Sequence, residues 1–305
     1  MDPIKGRIRS AFAFINPCSA SFFSSRISFS FPIQLPCGIY SGCLGLVRCM
    51  NKNIFQIVLL TAWVAFSGAV PVLRAAEITV FAAASLTDAL KQIAPGFTTA
   101  TGHTLRFNLG GSGALARQIG EGVPADVFFS ADEQRVEQLE KGGLLLSGTR
   151  RCILANALVV IVPADAPGGQ AATLADLALP AIRRIALGEP ATVPIGTYAK
   201  EHLGRHALWE PLRAKVVFMD NARAVLAAVE AGNADAGLVY QTDALSTKKV
   251  RVACAIPLAE GPRITYPAAV LQASKRPDVA RAFVDWLTAP AAQAVFARHG
   301  FLPAP

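Results

Sequence analysis

From Glu77 onward, hydrophobic positions switch between a period near two and a period near 3.6, and the switches outline alternating strands and helices. Glu77–Phe81 predicts a strand. Leu86, Ala89, Leu90, Ile93 and Phe97 then fall at helical spacing, with Ser85 and Asp88 in a capping-box-like relation. Thr104–Leu109 predicts a second strand, Gly110-Gly111-Ser112-Gly113 a tight loop, Ala114–Gly120 a helix and Asp126–Ser130 a third strand. Asp132 stands as the cap of a helix that Gly142-Gly143 terminates. Leu158–Val162 is an unbroken apolar run, the mark of a strand buried on both faces. Arg184–Leu187, Val216–Phe218, Ala236–Tyr240, Val250–Ile256 and Ile264–Leu271 read as further strands. Thr197–His206, Ala222–Ala231, Pro277–Leu287 and Pro290–His299 read as helices, the last two with proline in the first turn. The alternation implies an α/β fold with parallel sheets covered by helices. No Pro/Gly/Ser-rich linker divides the chain, so two lobes, if present, are joined by strands that cross between them.

The chain of 305 residues is long enough for two lobes with real cores. Its net charge of +8 does not describe the folded body. Residues 1–76 hold seven Lys/Arg and one acid, whereas residues 77–305 hold 22 and 20, a net of +2. The charge therefore gives no argument for nucleic acid or an anionic membrane as a partner. Ile54–Leu73 carries no formal charge and follows Met50-Asn51-Lys52-Asn53, which reads as a signal peptide over 50–76 cut near Ala75 or Ala76. The competing reading is an uncleaved anchor, since the run is just long enough to span a bilayer. Gln56, Thr61, Ser67, Gly68 and Pro71 favour the signal. Residues 1–49 show no sustained period and read as a non-native extension ahead of a start at Met50. Cys18, Cys37, Cys43 and Cys49 in that stretch lack paired zinc spacing. The body keeps only Cys152 and Cys254, which in an oxidising compartment could pair or remain separate thiols.

The candidate chemistry lies where strands meet helices. Ser85 and Ser112 each stand at a turn-to-helix junction, where unpaired N–H donors and about half a positive charge suit an anion. Each serine could equally be a plain helix cap worth about 1 kcal/mol. Gly188–Ala199, with two prolines and two glycines, and Asp220-Asn221-Ala222 make two more such junctions, and Tyr240 ends a buried strand. Enzyme signals are poor. Gly110-Gly111-Ser112-Gly113-Ala114 lacks the final glycine of a nucleophile elbow. His202 and His206 lack the glutamate of a zinc protease and read as surface histidines. There is no P-loop and no dinucleotide-binding fingerprint.

Ile78-Thr79-Val80-Phe81-Ala82-Ala83-Ala84-Ser85-Leu86 resembles the opening of the periplasmic molybdate-binding proteins of bacterial ABC transporters. The resemblance extends through Pro124–Asp132, Gly188–Lys200, Ala234–Tyr240 and Tyr266-Pro267, and covers roughly residues 77–302 in one register. It implies a two-lobed type II periplasmic-binding-protein fold, each lobe a sheet flanked by helices, the two joined by two crossover strands. Lobe one would comprise 77–156 and 257–305, and lobe two 157–256. Molybdate or tungstate would be held by neutral donors only: Ser85 and Ser112 through hydroxyl and N–H, Ile195 and Ala222 through N–H, and Tyr240 through its hydroxyl. The resemblance further implies no catalysis, no cofactor, no free metal cation and no nucleic acid. It implies a periplasmic monomer that delivers its ligand to an inner-membrane molybdate permease. A receptor for sulfate or phosphate is the nearest alternative, and a secreted α/β hydrolase using Ser85 or Ser112 the remote one. Asp88, one turn into the first helix, is an awkward neighbour for a dianion.

Overall fold

The computed structural model describes residues 75–168 and 171–305. The extension at 1–49 and the export segment Ile54–Leu73 lie outside the described residues. Two sheets carry the fold. The first contains β1 (Glu77–Ala83), β2 (Thr104–Gly110), β3 (Val127–Phe129), β4 (Arg151–Asn156), β10 (Ile264–Val270) and β11 (Leu302–Pro303), in the order β11-β4-β10-β3-β1-β2. The second contains β5 (Leu158–Pro163), β6 (Ile185–Gly188), β7 (Val216–Met219), β8 (Ala236–Tyr240) and β9 (Val250–Ala255), in the order β7-β6-β8-β5-β9.

The helices pack by the periodicity read from the sequence. In α1 (Thr87–Thr101), Ala89, Leu90, Ile93 and Phe97 are buried, and Phe97 meets Phe283 and Trp286 edge-on. In α2 (Ser112–Gly120), Leu115, Ala116 and Ile119 face inward. Asp132 caps α3 (Glu133–Lys141) by accepting the Arg135 N–H at 3.0 Å, and Gly142 closes the helix. The second sheet is covered by α4 (Pro194–Arg205), α5 (Trp209–Leu212), α6 (Ala222–Glu230) and α7 (Gln241–Leu245). The chain returns to the first sheet with α8 (Pro277–Leu287) and α9 (Pro290–Arg298), each opening on its proline. Strand β5, read as buried on both faces, is buried along its length up to Pro163.

The sheets are mixed, which corrects the expectation of parallel ones. β1 pairs in parallel with β2 and β3, and β6 with β7 and β8. β10 runs antiparallel to β3 and β4, and β5 antiparallel to β8 and β9. The reason lies in the connections. Ala157 alone separates β4 from β5, so the chain walks straight out of one sheet into the other. Residues 256–263 bring it back from β9 to β10. Strands joined in this way have no helical crossover to hold them parallel. Sheet one and its helices form one lobe, sheet two and its helices the other, with two crossings between them.

Candidate functional site

Where the lobes meet, a small cavity is lined by Ser85, Ser112, Ile195, Ala222 and Tyr240 together with small and apolar neighbours such as Ala84, Gly111, Ala131 and Pro194. All five residues singled out from the sequence line this one space. The space inside measures about 10 Å³, room for one water-sized sphere and far below the roughly 300–1,000 Å³ of a site for a drug-sized ligand. Every lining residue is electrically neutral. Asp88 is not among them; its carboxylate lies 2.6 Å from the Arg223 guanidinium.

The lining is a convergence of helix starts. Ser112 is the first residue of α2, Ile195 the second of α4 and Ala222 the first of α6. Tyr240 stands immediately before α7. First-turn N–H groups have no carbonyl four residues back to bond, and the aligned helix dipoles make the space between these ends electropositive. Neighbouring donors are already engaged. The Gly196 and Thr197 N–H groups bond the Val193 carbonyl, and the Ala224 N–H bonds the Asn221 side chain at 2.9 Å.

Neither serine caps a helix, which corrects the plain-cap reading and the capping box. α1 starts at Thr87, after a 3₁₀ turn at Ala84–Leu86, and neither α1 nor α2 has a side-chain cap bond. The Ser85 hydroxyl lies 3.1 Å from the Tyr266 hydroxyl. The Ser112 hydroxyl accepts the Ala131 N–H at 3.1 Å. Tyr240 is buried and its hydroxyl has no hydrogen-bond partner among the described residues. Burial, reinforced by the neighbouring Tyr266, holds that hydroxyl far above the ordinary tyrosine range, so it remains a neutral donor.

The lobes touch around the cavity. The Gly113 N–H donates to the Thr192 carbonyl at 3.0 Å, and Arg135 Nη2 donates to the Ala191 carbonyl at 2.8 Å. On the other flank Arg223 reaches back to Asp88 and stands 2.9 Å from fully buried Asp243. The Arg223 Nε and Asp243 Oδ1 are not aligned as a hydrogen bond, so that contact is an ion pair. Gly111 and Gly113 permit the approach: a Cβ on Gly111 would sit 2.5 Å from the Asp220 carbonyl oxygen, and one on Gly113 2.2 Å from that of Thr192.

Burial pushes the Asp243 carboxyl up to about 7 against the downward pull of Arg223. A carboxyl raised on folding binds its proton more tightly in the folded chain than in the unfolded one. The folded form is therefore favoured in acid, and this contribution is lost as pH rises from about 4 to about 7. Thermal melts at about pH 5 and about pH 8 should show wild type losing more stability on going alkaline than Asp243→Asn. Parallel losses in the two proteins would refute this.

Cys152 and Cys254 are free thiols, which decides against a bridge between them. His202 is buried, which corrects its reading as a surface residue; its ring lies 4.7 Å from that of exposed His206. Burial lowers the His202 pKa first, with His206 adding to the effect. Among the described residues no group of three or more His, Cys, Asp or Glu is placed to hold a metal ion. The sequence reading missed Asn156, which donates to Tyr266 and Thr242, and gave Tyr266 no role. For Tyr266 the signal was a tyrosine in a largely apolar strand, whose hydroxyl needs a partner when buried; Asn156 had none, because β4 is itself half polar.

Comparison with known proteins agrees with this architecture. Residues 78–302 match the family of bacterial extracellular solute-binding proteins. A putative ABC transporter substrate-binding lipoprotein of Bacillus subtilis, YvgL, is 37% identical over 227 residues, covering 73% of this chain and 85% of that protein. The molybdate-binding protein ModA of Escherichia coli is 36% identical over 234 residues, covering 74% and 88%. The solved structure of the Azotobacter vinelandii periplasmic molybdate-binding protein superimposes with a TM-score of 0.68 at 27% identity, covering 75% of this chain and all of that one. With two mixed sheets, two crossings and a small cavity between the lobes, the chain belongs to the bacterial extracellular solute-binding proteins.

Proposed function

We propose that this protein is a periplasmic receptor that binds molybdate, and tungstate with it, and hands the anion to an inner-membrane ABC permease. The observation that carries the reading is the cavity itself: neutral throughout, walled by helix starts, and faced by a buried tyrosine hydroxyl with no partner among the described residues. A permanent dianion needs donors and no acceptors. Ser85, Ser112, Ile195, Ala222 and Tyr240 supply them from both lobes, and each hydrogen bond to a charged ligand contributes about 1.5–3 kcal/mol. In the same reading lobe one comprises 77–156 and 257–305, lobe two comprises 157–256, and the protein works as a monomer without catalysis. The hydrolase reading is disfavoured because the Ser85 hydroxyl meets Tyr266 and the Ser112 hydroxyl meets a backbone N–H, where a nucleophile would meet a histidine. The names of the relatives point to the same ligand.

Calorimetry on residues 77–305 with molybdate, tungstate, sulfate and phosphate tests the proposal. The first two should bind tightly, and sulfate more weakly because its shorter bonds leave it undersized for the donor set. Tight binding of sulfate or phosphate with none of molybdate would overturn it.

A further inference from the structure

We propose that Asn156 and Tyr266 are positioning residues that fix Ser85 as a hydrogen-bond donor toward the cavity. The inference rests on the oxyanion reading of the site and concerns a chain of hydrogen bonds behind it. Asn156 ends β4, at the first crossing between lobes, and Tyr266 lies on β10, just after the second. The Ala157 N–H donates to the Asn156 side-chain carbonyl at 2.9 Å. A backbone N–H can only donate, so this contact orients the amide and makes its nitrogen the donor on the other side. That nitrogen lies 2.9 Å from the Thr242 hydroxyl and 3.2 Å from the Tyr266 hydroxyl, so both of its hydrogens are used.

Tyr266 is fully buried. Its oxygen accepts from Asn156, and its own hydrogen needs an acceptor. The Ser85 oxygen, 3.1 Å away, supplies one. Were Ser85 to donate instead, the tyrosine hydrogen would be buried with nothing to receive it, which is the costlier arrangement. The direction therefore runs from Ala157 through Asn156 and Tyr266 into Ser85, and the serine's hydrogen is left for the cavity that Ser85 lines. Ser112 is fixed in the same sense by a shorter route, since its oxygen accepts the Ala131 N–H. Both serines thus present hydrogens toward the ligand, with an oxygen lone pair of each committed behind them. A fully deprotonated dianion is well served. An anion that carries a proton, such as hydrogen arsenate, finds no ready acceptor for it.

A double-mutant cycle measured by molybdate calorimetry tests whether the two residues act through Ser85. Tyr266→Phe frees the serine to rotate and should weaken molybdate binding by about threefold to tenfold, yet change nothing in the Ser85→Ala background. It should also narrow the preference for molybdate over hydrogen arsenate, because the freed serine can turn its lone pair toward the arsenate proton. Asn156→Asp keeps the acceptor for Ala157 and the side-chain shape, but draws the Tyr266 hydrogen toward itself and leaves Ser85 to donate backward. Its loss of affinity should be at least about tenfold larger with Ser85 present than in the Ser85→Ala background. That difference removes the direct effect of the new charge. Equal losses in both backgrounds, with wild type binding molybdate normally, would overturn this proposal and leave the receptor reading intact. A wild-type protein that binds no molybdate would overturn both.

Discussion

Gly113→Ala should abolish tight anion binding while leaving both lobes folded. Gly113 is the second residue of α2 in the first lobe, and its new Cβ would lie 2.2 Å from the carbonyl oxygen and 2.9 Å from the carbonyl carbon of Thr192 in the second. Both are backbone atoms, so no rotamer relieves the clash, and the lobes must part. The Gly113 N–H bond to Thr192 is lost with them. Within its own lobe the substitution is benign, because alanine is favoured over glycine in a helix by about 1 kcal/mol. Parting the lobes moves Ile195, Ala222 and Tyr240 away from Ser85 and Ser112. Three charge-assisted hydrogen bonds at about 1.5–3 kcal/mol each amount to well over a hundredfold in affinity. Calorimetry with molybdate and a thermal melt without it give the two readouts. Undiminished affinity would show that the anion does not need both lobes at once.

That prediction was not available from the sequence, where Gly113 read as part of a tight loop. Legibility followed the range of the interactions involved. Local pattern was enough for most of the elements: the buried run at β5, the Asp132 cap and the proline-led α8 and α9 each follow from neighbours a few residues apart. β4 escaped because Arg151–Asn156 is short and half polar, and its pairing with β10 closes across more than a hundred residues. Strand direction escaped because it depends on Ala157, a single residue with no signature of its own. The junction residues of the site were legible as helix starts, and resemblance joined them into one set. Their partners were not. Ser85 meets Tyr266 181 residues away, and Asp88 meets Arg223 135 residues away. That last pairing answers the awkwardness of a carboxylate near an anion site: Asp88 spends its charge on a guanidinium across the cleft. Residues joined over such separations are found by folding the chain, since spacing carries no trace of them.

Tyr240→Phe should separate stability from binding, moving them in opposite directions. The tyrosine ring is buried between the lobes and packs edge-on to Tyr266 at 5.7 Å, a contact that phenylalanine reproduces. What changes is one oxygen. In the folded chain the Tyr240 hydroxyl faces the cavity with no hydrogen-bond partner among the described residues, whereas in the unfolded chain water satisfies it. Such a group costs about 1–3 kcal/mol on burial, so its removal should raise the melting temperature of the unliganded protein by several degrees. The same oxygen is the only side-chain donor proposed from the second lobe. Its loss should weaken molybdate binding by about ten- to a hundredfold, the worth of one hydrogen bond to a charged ligand. Ser85→Ala and Ser112→Ala should weaken binding by similar factors without the gain, because each serine already holds a bond that the alanine would break. A buried hydroxyl that lowers stability and has no partner among the described residues is retained for something that comes from outside the fold. If Tyr240→Phe melted lower than wild type and bound molybdate equally well, the hydroxyl would be serving the fold, and the second lobe's hold on the anion would rest on the Ile195 and Ala222 N–H groups alone.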